Sequence, residues 1–251
     1  MSGQVLFHMW DPYRQSLIEG HRFYVEQARK RLLSQFGDIE REASAAADAW
    51  LDNHKMHFDP DRHDPGDFYE AAQGEGIAFY ELLSDMEQRT RLSVVAGMFH
   101  EWDKQLRDWL VGEIRHWHVR DVVVAKVWTA DFAGIADLLE GFGWMLRSTS
   151  FFSKLDECRL VVNVYKHGTG KAFTELRQTH PEYLRGPFDD TELEWRLDFK
   201  DHTHLSVSDQ QVEEFSNCIV EFWMQLPERI FETNETALPA WFVKAIASEQ
   251  R

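Results

Sequence analysis

Apolar residues recur at intervals of three and four along most of the chain, which is the spacing of one face of an α-helix. The pattern begins after an Asp-Pro pair at positions 11–12, a typical helix start, and continues to Gly37. It resumes over 39–51 and again from Ile77, where large apolar groups share one stripe up to Trp109. The sequence therefore predicts a mainly α-helical protein.

Two segments in the second half depart from helical spacing. Residues 119–127 form a β-branched run that fits either a short strand or a buried helical turn. Residues 192–200 alternate strictly between polar and apolar, and residues 204–207 can return as an antiparallel partner. Ser208 and Gln211 then form a capping box for a further helix. We expect a helical bundle with a small β-hairpin near residues 192–207.

The connections are too short for a linker between domains. The sequence predicts one helical domain over residues 1–251, with an N-terminal helical region over about 1–65 and a motif-bearing bundle over about 77–230. Between these regions, residues 53–67 (NHKMHFDPDRHDPGD) form a predicted loop. Its histidines and aspartates are groups that bind zinc, but their spacing matches no ligand template. We therefore expect a solvated acidic loop, no metal and no cofactor.

Charge limits the classes of partner. The chain has 43 acidic and 27 basic residues and a formal net charge of −16, which repels nucleic acid and anionic membranes unless a local basic patch intervenes. Its two cysteines, Cys158 and Cys218, lie in apolar helical patterns, as expected in a reducing compartment. The sequence has no signal-peptide pattern and no apolar stretch of membrane-spanning length. We predict a cytoplasmic protein with no membrane partner.

One predicted helix, Leu155–His167 (LDECRLVVNVYKH), carries Arg159, Asn163 and His167 at intervals of four residues. Four residues advance an α-helix by about 400°, so these polar groups form one stripe that drifts about 40° per step. Apolar residues flank the stripe, so we expect it to face an interface or a cleft, where an unpaired polar group costs roughly 1–3 kcal/mol. Its partner could be another side chain, a second subunit or a ligand.

Residues 159–170 form the motif R-L-V-x-N-x-x-K-H-G-x-G. It resembles the signature of the higher eukaryote and prokaryote nucleotide-binding (HEPN) domains, and is similar to uncharacterised bacterial proteins with this arrangement. The resemblance implies an all-helical bundle, a dimer that places two motif helices side by side and, in many members, metal-independent RNA cleavage by a composite Arg/His site. It also implies catalytic roles for Arg159, Asn163 and His167, and a setting in stress or phage defence.

The chain departs from the common pattern of this family at one position. The residue before Asn163 is Val162, and the arginine stands one turn earlier. Arg159 and His167 are therefore about 12 Å apart along the helix axis, too far to contact one phosphate from one helix. A homodimer with antiparallel motif helices across a two-fold axis could bring Arg159 of one subunit near His167 of the other.

The residue types suit RNA cleavage through the 2′-hydroxyl. His167 can transfer protons, and the dipole of its helix C-terminus favours the imidazolium form. Arg159 can stabilise charge on the phosphoryl oxygens, while Lys166 and Lys171 add positive charge for substrate binding. The leading hypothesis is a metal-independent endoribonuclease, or a protein that acts on a nucleotide.

The same residues allow a non-catalytic alternative. Arg159 would pair with a core carboxylate, Asn163 would bond across helices, and His167 would cap the last carbonyls of its helix. The charge of −16 would then suit a basic protein partner, and the chain would be a neutralising partner or a scaffold. The sequence leaves both hypotheses open.

Overall fold

The fold is mainly α-helical, as predicted. A computed structural model describes residues 4–118, 121–185, 200–232 and 237–249. The α-helices are α1 (Asp11–Arg31), α2 (Ile39–His54), α3 (Pro65–Arg115), α4 (Asp121–Thr129), α5 (Phe132–Gly141), α6 (Phe152–His167), α7 (Lys171–Thr179), α8 (Asp209–Gln225) and α9 (Ala240–Glu249). Within the described ranges, none of these helices combines the length and the apolar character needed to cross a bilayer.

A small antiparallel sheet accompanies the helices. Its strands are β1 (Val5–His8) and β2 (Arg229–Phe231), and Phe7 is paired with Ile230. Residues 192–199 of the predicted hairpin lie outside the described residues. The predicted return strand at 204–207 is wrong: residues 202–204 form a 3₁₀ turn, and Leu205 makes one antiparallel bridge with Leu184. The side chain of Asp201 accepts a hydrogen bond from the backbone N–H of Thr203 and so caps that turn. This local hydrogen bond favours a turn over an extended strand at these residues.

The contacts divide the chain into two compact units. One contains residues 1–25 and 95–251, and the other contains residues 26–94. The first unit therefore includes the start of α1 and the end of α3, and its boundaries differ from the predicted division near residues 65–77. Its core is aromatic: the ring of Trp102 meets Phe132 and Phe222 edge to face, at centroid distances of 5.6 and 5.0 Å.

The second unit is a helical hairpin formed mainly by α2 and the first part of α3. The two helices approach closely at Gly76, where a Cβ atom would lie 3.0 Å from the carbonyl oxygen of Ala43. Few of its apolar side chains are buried, whereas Met56, Tyr69 and Leu82 are 66–86 % exposed. This unit therefore leaves much apolar surface in contact with solvent.

Several predicted helix ends shift in the structure. Helix α3 begins at Pro65, not at Ile77, because proline fits the first turn of a helix. Gly76 lies within this helix, at the point where α2 passes closely. Helix α1 ends at Arg31 before a 3₁₀ turn that reaches Phe36. The undecided segment 119–127 is helical from Asp121 onward. The capping box of Ser208 and Gln211 is confirmed at the start of α8.

Arginine side chains close two helix ends in the first unit. The guanidinium of Arg107 donates to the carbonyl oxygens of Val127 and Ala130 at 2.5 and 2.8 Å, at the end of α4. The guanidinium of Arg14 donates to the carbonyl oxygens of Trp223 and Met224 at 2.8 and 2.9 Å, at the end of α8. Because the last carbonyls of a helix lack partners within it, these arginines satisfy groups that would otherwise be buried unpaired.

His21 is a buried titratable group in the same unit. It is 7 % exposed, and its Nε2 lies 2.9 Å from the hydroxyl oxygen of Ser216. Burial lowers the pKa of His21 from 6.5 to about 4. The folded protein therefore keeps this imidazole neutral at pH values where the unfolded chain would protonate it.

The stability contribution of neutral His21 should be fully present above about pH 6.5 and should be lost as the pH falls toward 4. Between pH 7 and pH 4, we expect the free energy of unfolding of the wild type to fall about 3 kcal/mol more than that of His21→Gln. Urea denaturation at several pH values measures both slopes. Equal slopes would contradict the assignment of this pH dependence to His21.

Candidate functional site

Helix α6 carries the motif and is buried over most of its surface. It packs against α7 and α8, and its apolar residues Leu155, Leu160 and Val161 are fully enclosed. The helix begins at Phe152, three residues before the predicted start at Leu155. Burial of Phe151 and Leu155 determines this start, because no side chain caps the helix. The helix ends at His167, as predicted.

The motif residues lie on the stripe of α6 that reaches solvent. Arg159 and Asn163 are half-buried and His167 is exposed, and the side chains become more accessible toward the end of the helix. Gly168 follows with a φ of 66°, a left-handed conformation that stops the helix. The predicted stripe is therefore present, and its C-terminal end is the most open part.

Arg159 is paired with carboxylates. Its guanidinium donates to Asp156 from Nε at 2.5 Å and from Nη2 at 3.2 Å. A longer contact of 3.5 Å joins Nη2 to Glu175 on α7. This pairing compensates the positive charge, so a bound phosphate would have to exchange with the exposed Glu175.

The end of α6 gathers basic and imidazole side chains. His167 lies beside the exposed Lys166, and Lys171 opens α7. The ring of His202 lies against Gly168, where a Cβ atom would be 3.3 Å from the imidazole carbon Cδ2. The hydroxyl of Thr169 is 3.1 Å from Nδ1 of His202, which holds that ring in place. We call this group, residues 166–171 with His202, the α6 end cluster.

A further histidine lies close to the α6 end cluster. Desolvation, together with the nearby ammonium of Lys166, lowers the pKa of His100 on α3. Sequence reasoning missed both His100, which lies near Lys166, and His202, which lies against Gly168, because they are far away along the chain. The glycine after the helix was the only local signal, since it permits the close approach of the His202 ring.

The side chains of Asn163 and His167 do not make the contacts that the non-catalytic alternative predicts. Among the residues that the structure describes, none forms a hydrogen bond to either side chain. Asn163 therefore does not bond across helices within those ranges, and His167 does not cap the last carbonyls of α6. Arg159 is paired with carboxylates, as that alternative predicts, but Asp156 is half-buried and Glu175 is exposed, so neither is a core carboxylate.

A buried carboxylate anchors the other face of α6. Glu157 is 7 % exposed, and its Oε2 accepts hydrogen bonds from Lys154 at 2.6 Å and from Tyr183 at 2.8 Å. Burial, reinforced by the bond to Glu157, raises the pKa of the Tyr183 hydroxyl, which therefore remains a donor. Lys154 also approaches Glu214 of α8 at 3.4 Å. These contacts tie α6 to α8 and to the turn after α7.

The same region contains a set of metal-ligating groups. Glu157, His180 and Glu182 offer ligand atoms that lie within 4.8 Å of one another. The ammonium of Lys154, however, is already bound to Glu157. A metal ion would have to displace this ammonium or bear its repulsion, so we assign Glu157 a structural role.

The histidines of the 53–67 loop make local contacts. The ring of His54 stacks on Trp50 at a centroid distance of 4.0 Å and lies 2.8 Å from its carbonyl oxygen. His63 accepts a hydrogen bond from the backbone N–H of Asp59 at 2.9 Å. Both histidines therefore make contacts with residues four positions away, within or next to the loop.

Comparison of the chain with protein-family models, with curated proteins and with solved structures finds no match. The likeness of residues 159–170 to HEPN domains therefore stays an expectation from the motif. Any functional inference must be argued from the side chains themselves.

Loss of the Glu157 charge should destabilise the fold. In Glu157→Gln, Lys154 keeps only the partly exposed Glu214, so we expect the free energy of unfolding to fall by about 2 kcal/mol. Urea denaturation at pH 7 measures the change. The control is Glu182→Gln, which removes an exposed carboxylate and should change stability by less than about 0.5 kcal/mol. Equal effects would show that the buried pair has no special weight.

Proposed function

We propose that the protein acts on RNA at the α6 end cluster, as a metal-independent endoribonuclease of HEPN-like type that works as a homodimer in stress or phage defence. The observation that carries this proposal is the exposure of His167 at the open end of α6, beside Lys166 in the sequence and directly before Gly168, against which the ring of His202 lies. An acid, a base and a cation are the groups that RNA cleavage without a metal requires.

The chemistry follows from two imidazoles that act as general base and general acid. A neutral imidazole takes the proton from the ribose 2′-hydroxyl, and the 2′-oxygen forms a bond to phosphorus. The bond from phosphorus to the 5′-oxygen breaks, and that oxygen takes a proton from the second imidazole. His167 and His202 would share these two roles. The products are a 2′,3′-cyclic phosphate and a 5′-hydroxyl.

Lysines supply the charge that the phosphate needs. Lys166 and Lys171 lie at the two helix ends that meet around Gly168, in a chain whose formal charge is −16. A local basic group permits phosphate binding while the rest of the surface repels long nucleic acids. We therefore propose weak, strongly salt-dependent RNA binding.

Arg159 enters the proposal through a second subunit. It is two turns from His167 on α6, so it serves the same phosphate only if antiparallel α6 helices meet across a two-fold axis. Its half-buried guanidinium would then exchange Glu175 for phosphate while Asp156 keeps it oriented. Asn163 lies between the two and would contact the ribose or phosphate.

The second candidate is a non-catalytic acidic protein that binds a basic protein partner. The pairing of Arg159 with Asp156 and Glu175 favours it, because it gives the arginine a role within the fold. This candidate requires no role for His167 or His202.

Cleavage of a mixed cellular RNA pool without added metal tests the leading proposal. We expect the wild type to cleave and to sediment as a dimer, whereas His167→Ala and His202→Ala should each lose at least about 100-fold in rate. Arg159→Ala should lose a similar factor if the composite dimeric site forms. The cleaved ends should carry 2′,3′-cyclic phosphates.

His57→Ala is the matched control, since it removes an exposed imidazole of the second unit and should leave the rate unchanged. Because His167 is exposed, its substitution should leave the melting temperature within the range of a surface change. Absence of cleavage by every form would contradict the proposal and favour the second candidate. A large loss of stability in His167→Ala would contradict the assignment of its effect to catalysis.

A further inference from the structure

The second unit contains an apolar groove between α2 and α3. It has a volume of about 310 Å³, and its floor is formed by small and aromatic side chains. Gly76 and Ala47 bring the helices close, with the Ala47 Cβ atom 3.2 Å from the position that a Gly76 Cβ would take. Ile77 and Tyr80 flank this contact and are 53 % and 42 % exposed. A groove with apolar side chains between two helices has the shape that accepts the apolar face of another helix.

Acidic side chains border the groove. Glu40 lines it directly. Three further carboxylates lie one helical turn from residues that line the groove. On α2, Asp48 follows Ser44; on α3, Glu70 precedes Gln73 and Glu81 follows Ile77. These carboxylates therefore flank the helix faces that form the groove. All of these carboxylates belong to exposed residues. The groove is therefore an apolar strip with a negative rim.

The surrounding segment holds most of the charge of the protein. Residues 38–87 contain fourteen acidic and three basic residues, a formal charge of −11 out of −16. The three basic side chains already pair within the segment: Arg41 with Asp38, Lys55 with Asp52 and Arg62 with Asp59. The uncompensated charge is negative along the whole hairpin.

The negative charge around the groove determines which kind of molecule can bind in it. A second copy would place two segments of charge −11 against each other, which like-charge repulsion opposes. Nucleic acid and anionic membranes are repelled for the same reason. An amphipathic helix with lysines or arginines beside its apolar stripe would place apolar side chains on the apolar strip and cations against the acidic rim.

We propose that the groove between α2 and α3 binds a basic amphipathic helix of a partner protein. Apolar side chains of that helix, one turn apart, would rest on Ala43, Ala47, Gly76 and Ile77, while its cations would face Glu40 and the flanking carboxylates. The groove is formed by the second unit alone, so this inference does not rest on the proposed RNA activity.

The test uses the full chain and a labelled synthetic helix in which leucines repeat at helical spacing among lysines. Fluorescence anisotropy measures its binding, with a leucine and glutamate helix of the same pattern as the comparison. We expect the wild type to bind the basic helix, with affinity that falls as salt rises, and to leave the acidic helix unbound. Absence of binding to the basic helix would overturn the proposal.

Two variants with the same change in charge separate docking from general attraction. Ile77→Lys places a cation in the groove, whereas Leu82→Lys places one on the opposite side of α3, where Leu82 is 70 % exposed. We expect Ile77→Lys to weaken binding at least about tenfold and Leu82→Lys less than about threefold. Equal losses would overturn the proposal, and so would a wild-type dimer that Ile77→Lys dissociates. Circular dichroism checks that both variants keep their helical content.

Discussion

The burial of α6 on all but one stripe of its surface is the constraint from which the functional argument follows. Its apolar residues pack against α7 and α8, and the enclosed Glu157 is held by Lys154 and Tyr183. A buried carboxylate is costly unless its hydrogen bonds keep good geometry. The bonds of Glu157 to Lys154 and Tyr183 therefore hold α6 at one position and one rotation about its axis. The accessible side chains of α6 include Arg159, Asn163 and His167 of the motif, and their order along the axis determines which can act together.

This order separates Arg159 from His167. The arginine lies in the middle of the helix, where carboxylates neutralise it, whereas the histidine lies at the open end beside Lys166. The chain brings a second imidazole to that end from a distant segment, since the ring of His202 lies on Gly168. In the proposed function, one subunit supplies the histidines at the open end of α6, and a second subunit would supply the arginine.

Local patterns predicted what local physics determines. The end of α6 at His167, its stop at Gly168 and the capping box of α8 all depend on neighbours in sequence. The start of α3 escaped prediction because the apolar stripe was recognised only from Ile77, although the helix begins at Pro65 and Gly76 lies where α2 passes closely. The environment of the motif escaped it too. Glu157 is an ordinary first-turn acid in the sequence, and only the fold brings Tyr183 to it and His202 to the motif.

The most direct measurement of the central claim is an NMR titration of the histidine ring signals with a short RNA in which a 2′-deoxy nucleotide blocks cleavage. If the open end of α6 binds RNA, the signals of His167 and His202 should shift saturably at low salt, while the exposed His57 and His116 should not move. A titration in which His167 and His202 stay unmoved, or in which every exposed histidine shifts alike, would contradict the claim.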